Sequence, residues 1–298
     1  MEQFLMRAKR RLLPWLLCLV HGIAMAIEAP TDQPTLRWMT IDFPPLFMVS
    51  GPEHGVGDYA QGVAVANLPG YEHVLQAVPP NYQRIEQEMK NRENVCFAGF
   101  LKTPERERFM TFSEPYLLML PVQLFISAGH AALAQENGAV DLRGLLDTGT
   151  FRLGVLGGRR YGATLDQVID SYGERGPVYR RYSKDQLRGL INMLMAHDRA
   201  IDGVLAYPGE ITYLSKQESS VPRPLRAYPL QGSPAAIFGY FACSRSRLGQ
   251  AVIASIDRTI PHIRAEVAAL YARDLAPPAR AAYASLVYAQ WGIRLPRE

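Results

Sequence analysis

Val95-Cys96-Phe97-Ala98-Gly99-Phe100-Leu101-Lys102-Thr103-Pro104-Glu105-Arg106 is an apolar run that ends in a helix start. Val95 to Leu101 carries no charge and reads as a strand buried on both faces. Thr103 offers a side-chain oxygen to cap a helix, and Pro104 suits the first helical position, where no backbone N–H is needed. A buried strand that passes directly into a helix is the building unit of an α/β sheet. The same alternation extends in both directions. Upstream, Leu36 to Ile41 reads as a strand and stops at Asp42-Phe43-Pro44-Pro45, because two prolines forbid both helix and ladder. Gly55 to Asn67 is a short helix, Tyr71 to Val78 a strand, and Tyr82 to Asn91 an amphipathic helix with Ile85 and Met89 at i, i+4. Downstream, Leu117 to Ser127 reads as one long apolar strand.

The pattern then restarts. Phe151 to Leu156, Val178 to Tyr182 and Ile201 to Ala206 read as strands, interleaved with helices through Ile169, after Ser183 and from Pro208. Ala235 to Cys243 returns as a strand, followed by long helices at roughly 245–272 and 279–291. Glu136 to Thr150 has the weakest pattern and reads as loop and short helix. The expected architecture is therefore α/β, with two units joined by two crossings. A length of 298 residues agrees with two domain-sized units.

Composition bounds the function. The chain is 48% apolar and 20% charged, which excludes disorder, collagen and coiled coil. Arg7, Lys9, Arg10 and Arg11, the apolar run Leu12 to Val20, and Ala24-Met25-Ala26 form the pattern of a cleaved export signal over residues 1–26. The apolar run is shorter than the roughly 20 residues of a membrane span. Without the signal, the net charge of +4 falls to +1, so nothing points to nucleic acid. Of three cysteines, Cys96 and Cys243 remain in the mature chain, either as one disulfide or as two buried thiols. HExxH, G-x-S-x-G and CxxC are all missing, and the histidines match no metal-ligand spacing. No metal and no cofactor is expected.

The order of Asp42-Phe43-Pro44-Pro45, Thr103-Pro104-Glu105-Arg106, Phe112-Ser113-Glu114-Pro115-Tyr116, Gly154-Val155-Leu156 and Ile201-Asp202-Gly203-Val204 resembles the type II periplasmic solute-binding proteins, in their family 3, amino-acid-type branch. The resemblance covers about residues 35 to 292. It implies a two-lobe clamshell, each lobe a mixed, mostly parallel sheet flanked by helices. Lobe I would hold 27–120 and 238–298, lobe II 126–230, with crossings at 121–125 and 231–237. It implies a periplasmic monomer that binds a small polar, anionic solute and delivers it to an ABC-type inner-membrane permease. The alternatives are a dehydratase-like enzyme on the same fold or a stand-alone sensory domain. It also places Cys96 beside Cys243.

The candidate ligand residues follow the same frame. Arg106 is expected to clamp a ligand carboxylate with its planar fork, the alternative being a pair with Glu105, Glu107 or a neighbouring strand end. Asp42, Phe43 and Phe47 stand at the carboxyl end of the first strand, where open α/β sheets bind ligands, and the phenylalanines serve either as pocket wall or as core. Gly158, Arg159 and Arg160 follow a strand, and their turn is expected to open a helix whose N-terminal amides attract anions. Either arginine could face the cleft. Two departures from the family are visible. Gly99 and Leu101 replace hydroxyl residues on the third strand's end, and Tyr207 stands near where amino-acid binders place a carboxylate.

Overall fold

The computed structural model describes residues 33–49, 54–79, 81–128, 132–136, 138–173, 176–183, 186–196, 200–217 and 225–296. The export signal read at 1–26 lies outside them. In chain order the first elements are β1 (Thr35–Ile41), α1 (Val56–Ala66), β2 (Glu72–Val78), α2 (Tyr82–Asn91), β3 (Val95–Phe100), α3 (Pro104–Glu107), β4 (Met110–Phe112) and β5 (Leu117–Met119). There follow β6 (Gln123–Ser127), α4 (Leu142–Asp147), β7 (Leu153–Leu156), α5 (Ala163–Asp170), β8 (Val178–Arg181), α6 (Gln186–Met195), β9 (Gly203–Ala206), α7 (Pro208–Gln217) and β10 (Leu225–Tyr228). The last are β11 (Ile237–Ser244), α8 (Arg247–Arg273) and α9 (Pro277–Trp291).

Two sheets form within the one compact unit Pro34–Glu298. The first has the order β2-β1-β3-β11-β4, with β5 also on β11; the second runs β10-β6-β9-β7-β8. β1 lies between β2 and β3, and its Leu36, Trp38, Met39 and Ile41 are fully buried, which accounts for its apolar composition. α1 packs on β3 and α8, and α2 on β3 and β11. β1 runs parallel to β2 and β3, and β7 runs parallel to β8 and β9. Every antiparallel pair involves β6 or β11, the strands that follow the two crossings. Both sheets are therefore mixed for one topological reason: the strand that enters after a crossing runs against its new neighbours.

The expected single strand from Leu117 to Ser127 is two strands in two sheets. β5 ends at Met119 and pairs with β11, while β6 begins at Gln123 and pairs with β9 and β10. Pro121 lies between them and has no N–H to give to a ladder. Gln123 to Phe125, read as part of a crossing, are thus the first residues of β6. Cys96 and Cys243 sit at directly paired positions of β3 and β11 and form a disulfide, with their Cα atoms 4.1 Å apart.

Candidate functional site

The carboxyl ends of β1, β3, β7 and β9 converge on one cavity of about 40 Å³. That is room for a few water molecules on the scale of about 10–15 Å³ per water centre. From the first sheet's side come Phe43, Leu46, Tyr82, Gly99, Leu101, Arg106 and Met119; from the second, Arg159, Arg160 and Tyr207. Three larger spaces share walls with it, one of about 250 Å³ through Arg159 and Arg160. Another of about 280 Å³ shares Phe43, Tyr82 and Arg159, and one of about 550 Å³ shares Leu101 and Arg160.

Arg106 reaches the cavity because Thr103 caps α3 and accepts the Arg106 N–H at 3.3 Å. Its side chain is 7% exposed. Its partner is neither Glu105 nor Glu107 but Glu86 of α2. Nε donates to Glu86 Oε1 at 3.0 Å, and Nη2 lies 2.9 Å from the same oxygen. Nη1 donates to the Leu101 carbonyl at 2.8 Å, and the guanidinium lies 4.5 Å from the Phe100 ring centre. The fork expected to meet a ligand carboxylate is already engaged with one from the protein.

Arg159 is the other buried cation, and its side chain is 6% exposed. Nη2 donates to Glu210 Oε2 at 3.2 Å. Nη1 lies 3.0 Å from Glu210 Oε1, off the axis of a hydrogen bond, so this buried donor has no hydrogen-bond partner. The guanidinium lies 4.7 Å from the Phe43 ring centre, 4.8 Å from Tyr207 and 5.3 Å from Tyr161. Glu210, 3% exposed in the first turn of α7, accepts the Tyr207 N–H at 2.8 Å. Burial disfavours the Arg159 charge, but the Glu210 carboxylate and the nearby Tyr161, Tyr207 and Tyr82 phenols together outweigh it and hold the guanidinium above its ordinary pKa. Burial raises the phenols of Tyr82, Tyr161 and Tyr207, so all three stay neutral.

Of the two arginines that the sequence left open, Arg159 is buried and Arg160 is half-exposed, paired with Asp170 at 3.0 Å. Both line the cavity. Gly158 does not; it is exposed, with φ 77°, a left-handed backbone that suits glycine. The expectation that this turn opens a helix is corrected. α5 begins only at Ala163, after Gly162 at φ 109°, so no helix N-terminus stands at Gly158. Asp42 is exposed and accepts the Val49 N–H at 3.3 Å, which pins the loop after β1 rather than lining the cavity. Phe47 also lies outside the lining. It stacks on Phe97 with ring centres 5.2 Å apart. These two rings explain Gly99: a Cβ there would lie 2.6 Å from Phe97 and 2.7 Å from Phe47. Aromatic packing has taken the room of the expected hydroxyl.

Sequence reasoning missed Tyr82, Leu46 and Met119 as lining residues, and Glu86 and Glu210 as the carboxylates behind the arginines. The sole sequence signal for Glu210 was its place three residues after Tyr207, in the first turn of a helix opened by Pro208.

No family model and no curated protein sequence matches the chain. Solved structures do. The GluR0 ligand-binding core in complex with L-glutamate matches with a TM-score of 0.59 and 15% identity, over 81% of this chain and 98% of that one. An amino-acid ABC transporter substrate-binding protein from Streptococcus pneumoniae bound to L-arginine matches with 0.58 and 15%, over 85% and 97%. A histidine kinase sensor domain with similarity to periplasmic binding proteins matches with 0.58 and 13%, over 89% and 98%. The chain has the two-lobe, type II periplasmic-binding-protein fold.

Proposed function

We propose that the chain binds a small polar, anionic solute between its two sheets, and that it does so outside the inner membrane as the binding component of an ABC-type permease. One observation carries the anionic reading. Among the ten residues that line the central cavity, three are arginines and none is a carboxylate. Glu86 and Glu210 stand behind Arg106 and Arg159 and fix their forks, while Nη1 of Arg159, ion-paired with Glu210, makes no hydrogen bond within the chain and can donate one to an acceptor oxygen. The neighbours support binding rather than turnover: they are a ligand-binding core, a transporter's binding protein and a sensor domain. The sensor domain also favours a second reading, in which the closed form itself is the output and no permease takes the solute.

A thermal-shift screen of the purified chain tests the anionic class. Carboxylate- and phosphate-bearing solutes should raise the melting temperature, because a ligand held only by the folded state at about 100 times its Kd adds roughly 2.7 kcal/mol. Cationic amino acids should not. A set in which only cations raise it overturns the reading. Mass spectrometry of the recovered solute separates binding from turnover, since a binder returns it unchanged.

A further inference from the structure

We propose that the cleft contains a guanidinium receptor, and that its occupant is the chain's own Arg159. The receptor is Glu210 for the charge and the rings of Phe43, Tyr161 and Tyr207 for the faces. A carboxylate that meets the two Nη atoms of a guanidinium end-on, within a wall of aromatic rings, is a chemistry suited to taking up a free guanidinium ligand. Here the guest is covalently attached, through the turn between β7 and α5.

Two features show that this is more than a buried ion pair. The first is its placement across the two sheets. Arg159, Tyr161, Tyr207 and Glu210 belong to the second sheet's segment, whereas Phe43 follows β1 of the first. Phe43 is 5% exposed and lies edge-on to Tyr82, 6.3 Å away, so the ring that receives the guanidinium is itself held by the first sheet's side. The second is the preparation of the carboxylate. The Tyr207 N–H fixes Glu210 at 2.8 Å, and its place in the first turn of α7 suits a negative charge. Arg159 thereby acts as a latch. It holds the second sheet's rim against Phe43 with a charge that the protein itself supplies.

This inference goes beyond solute binding, and its test uses no solute, so a failure to find one leaves the test intact. The radius of gyration by small-angle scattering and the melting temperature are measured for the full chain and for Arg159→Ala. The variant should be larger and melt lower. Millimolar methylguanidinium, against sodium chloride at equal ionic strength, should restore both in Arg159→Ala and change neither in the wild type. Arg159→Ala/Glu210→Gln, which leaves no unpaired buried carboxylate, should fold, stay expanded and gain nothing from methylguanidinium. It carries the test if Arg159→Ala alone fails to fold. Phe43→Leu keeps the ion pair and removes the receiving ring, and it too should be expanded. A wild-type radius in the double variant or in Phe43→Leu overturns the latch. So does a methylguanidinium effect of the same size in the wild type, Arg159→Ala and the double variant.

Discussion

Tyr161 belongs to no motif, yet it fixes the turn that carries Arg159. Its hydroxyl oxygen accepts the Leu156 N–H at 2.8 Å, and its own N–H donates to Asp166 at 2.8 Å. Burial pushes its phenol up to about 12. Above a pH of about 10 the unfolded chain loses this proton while the folded chain keeps it, so stability is complete below about pH 10 and falls as pH rises toward 12. Tyr161 alone accounts for about 2–3 kcal/mol of that loss, at about 1.4 kcal/mol per pH unit. Urea unfolding between about pH 9 and 12 should show it, and Tyr161→Phe should flatten the slope. A wild-type stability unchanged over that range would contradict the assignment. Arg106 changes meaning at the same scale. Read from the sequence it is a ligand clamp; bound to Glu86 and the Leu101 carbonyl, it is also structural. Arg106→Ala should therefore lower stability as well as affinity. We expect about 1–3 kcal/mol, below the ~3–5 of a fully buried pair, because the Glu86 side chain is 24% exposed and can hydrate. Chemical denaturation measures the first effect and calorimetry the second. Arg106→Ala with wild-type stability would return the residue to a purely ligand-facing role.

β3 and β11 are the elements on which the first sheet depends. β11 pairs with β3, β4 and β5, and the disulfide ties it to β3. Opening a cross-link over a sequence separation of 147 removes about 4–5 kcal/mol on chain-entropy grounds. Cys96→Ala/Cys243→Ala should show a loss of that order in urea midpoints, the thiol-free chain leaving two small gaps between buried strands. An unchanged midpoint would mean that the strand pairing alone holds the sheet. On β3 itself, Gly99→Ser puts a side chain against Phe97 and Phe47. Overpacking of this kind costs about 1–3 kcal/mol. Adding a hydroxyl here should thus weaken the fold, and pairing it with Phe47→Leu should recover part of the loss. At this scale much was readable from the sequence. Val95 to Phe100 and Thr35 to Ile41 are short, apolar and closed by prolines or a cap, and each forms the expected strand. Met110–Phe112 and Leu225–Tyr228 carried no signal, because three- and four-residue edge strands are too short to show a period. The break at Pro121 was hidden inside one apolar run, since hydrophobicity does not say which sheet a residue is buried in.

Across the whole molecule, the cavity joins residues far apart in the chain, and sequence order alone pointed to several of them. Phe43, Arg159 and Arg160 follow strand ends, a rule that needs only the strand boundaries, whereas Gly99, Leu101, Arg106 and Tyr207 were singled out by the family resemblance. Glu86 and Glu210 were not legible, because a carboxylate behind an arginine leaves no spacing pattern when it comes from another helix. With Arg159 latched, an anionic solute should change the wild-type radius of gyration little and that of Arg159→Ala more. Scattering with saturating solute compares the two, and a large contraction of the wild type would mean that the cleft rests open. The topology has a consequence in time. All of β6 to β10 lies between the two halves of the first sheet, so Cys96 is made 147 residues before Cys243. At about 5–20 residues per second, that interval is about 7–30 s. Throughout it β3 has β1 beside it but lacks its other neighbour, β11, which carries its sulfur partner. The first sheet is thus the last to have all its strands made, although most of them appear first.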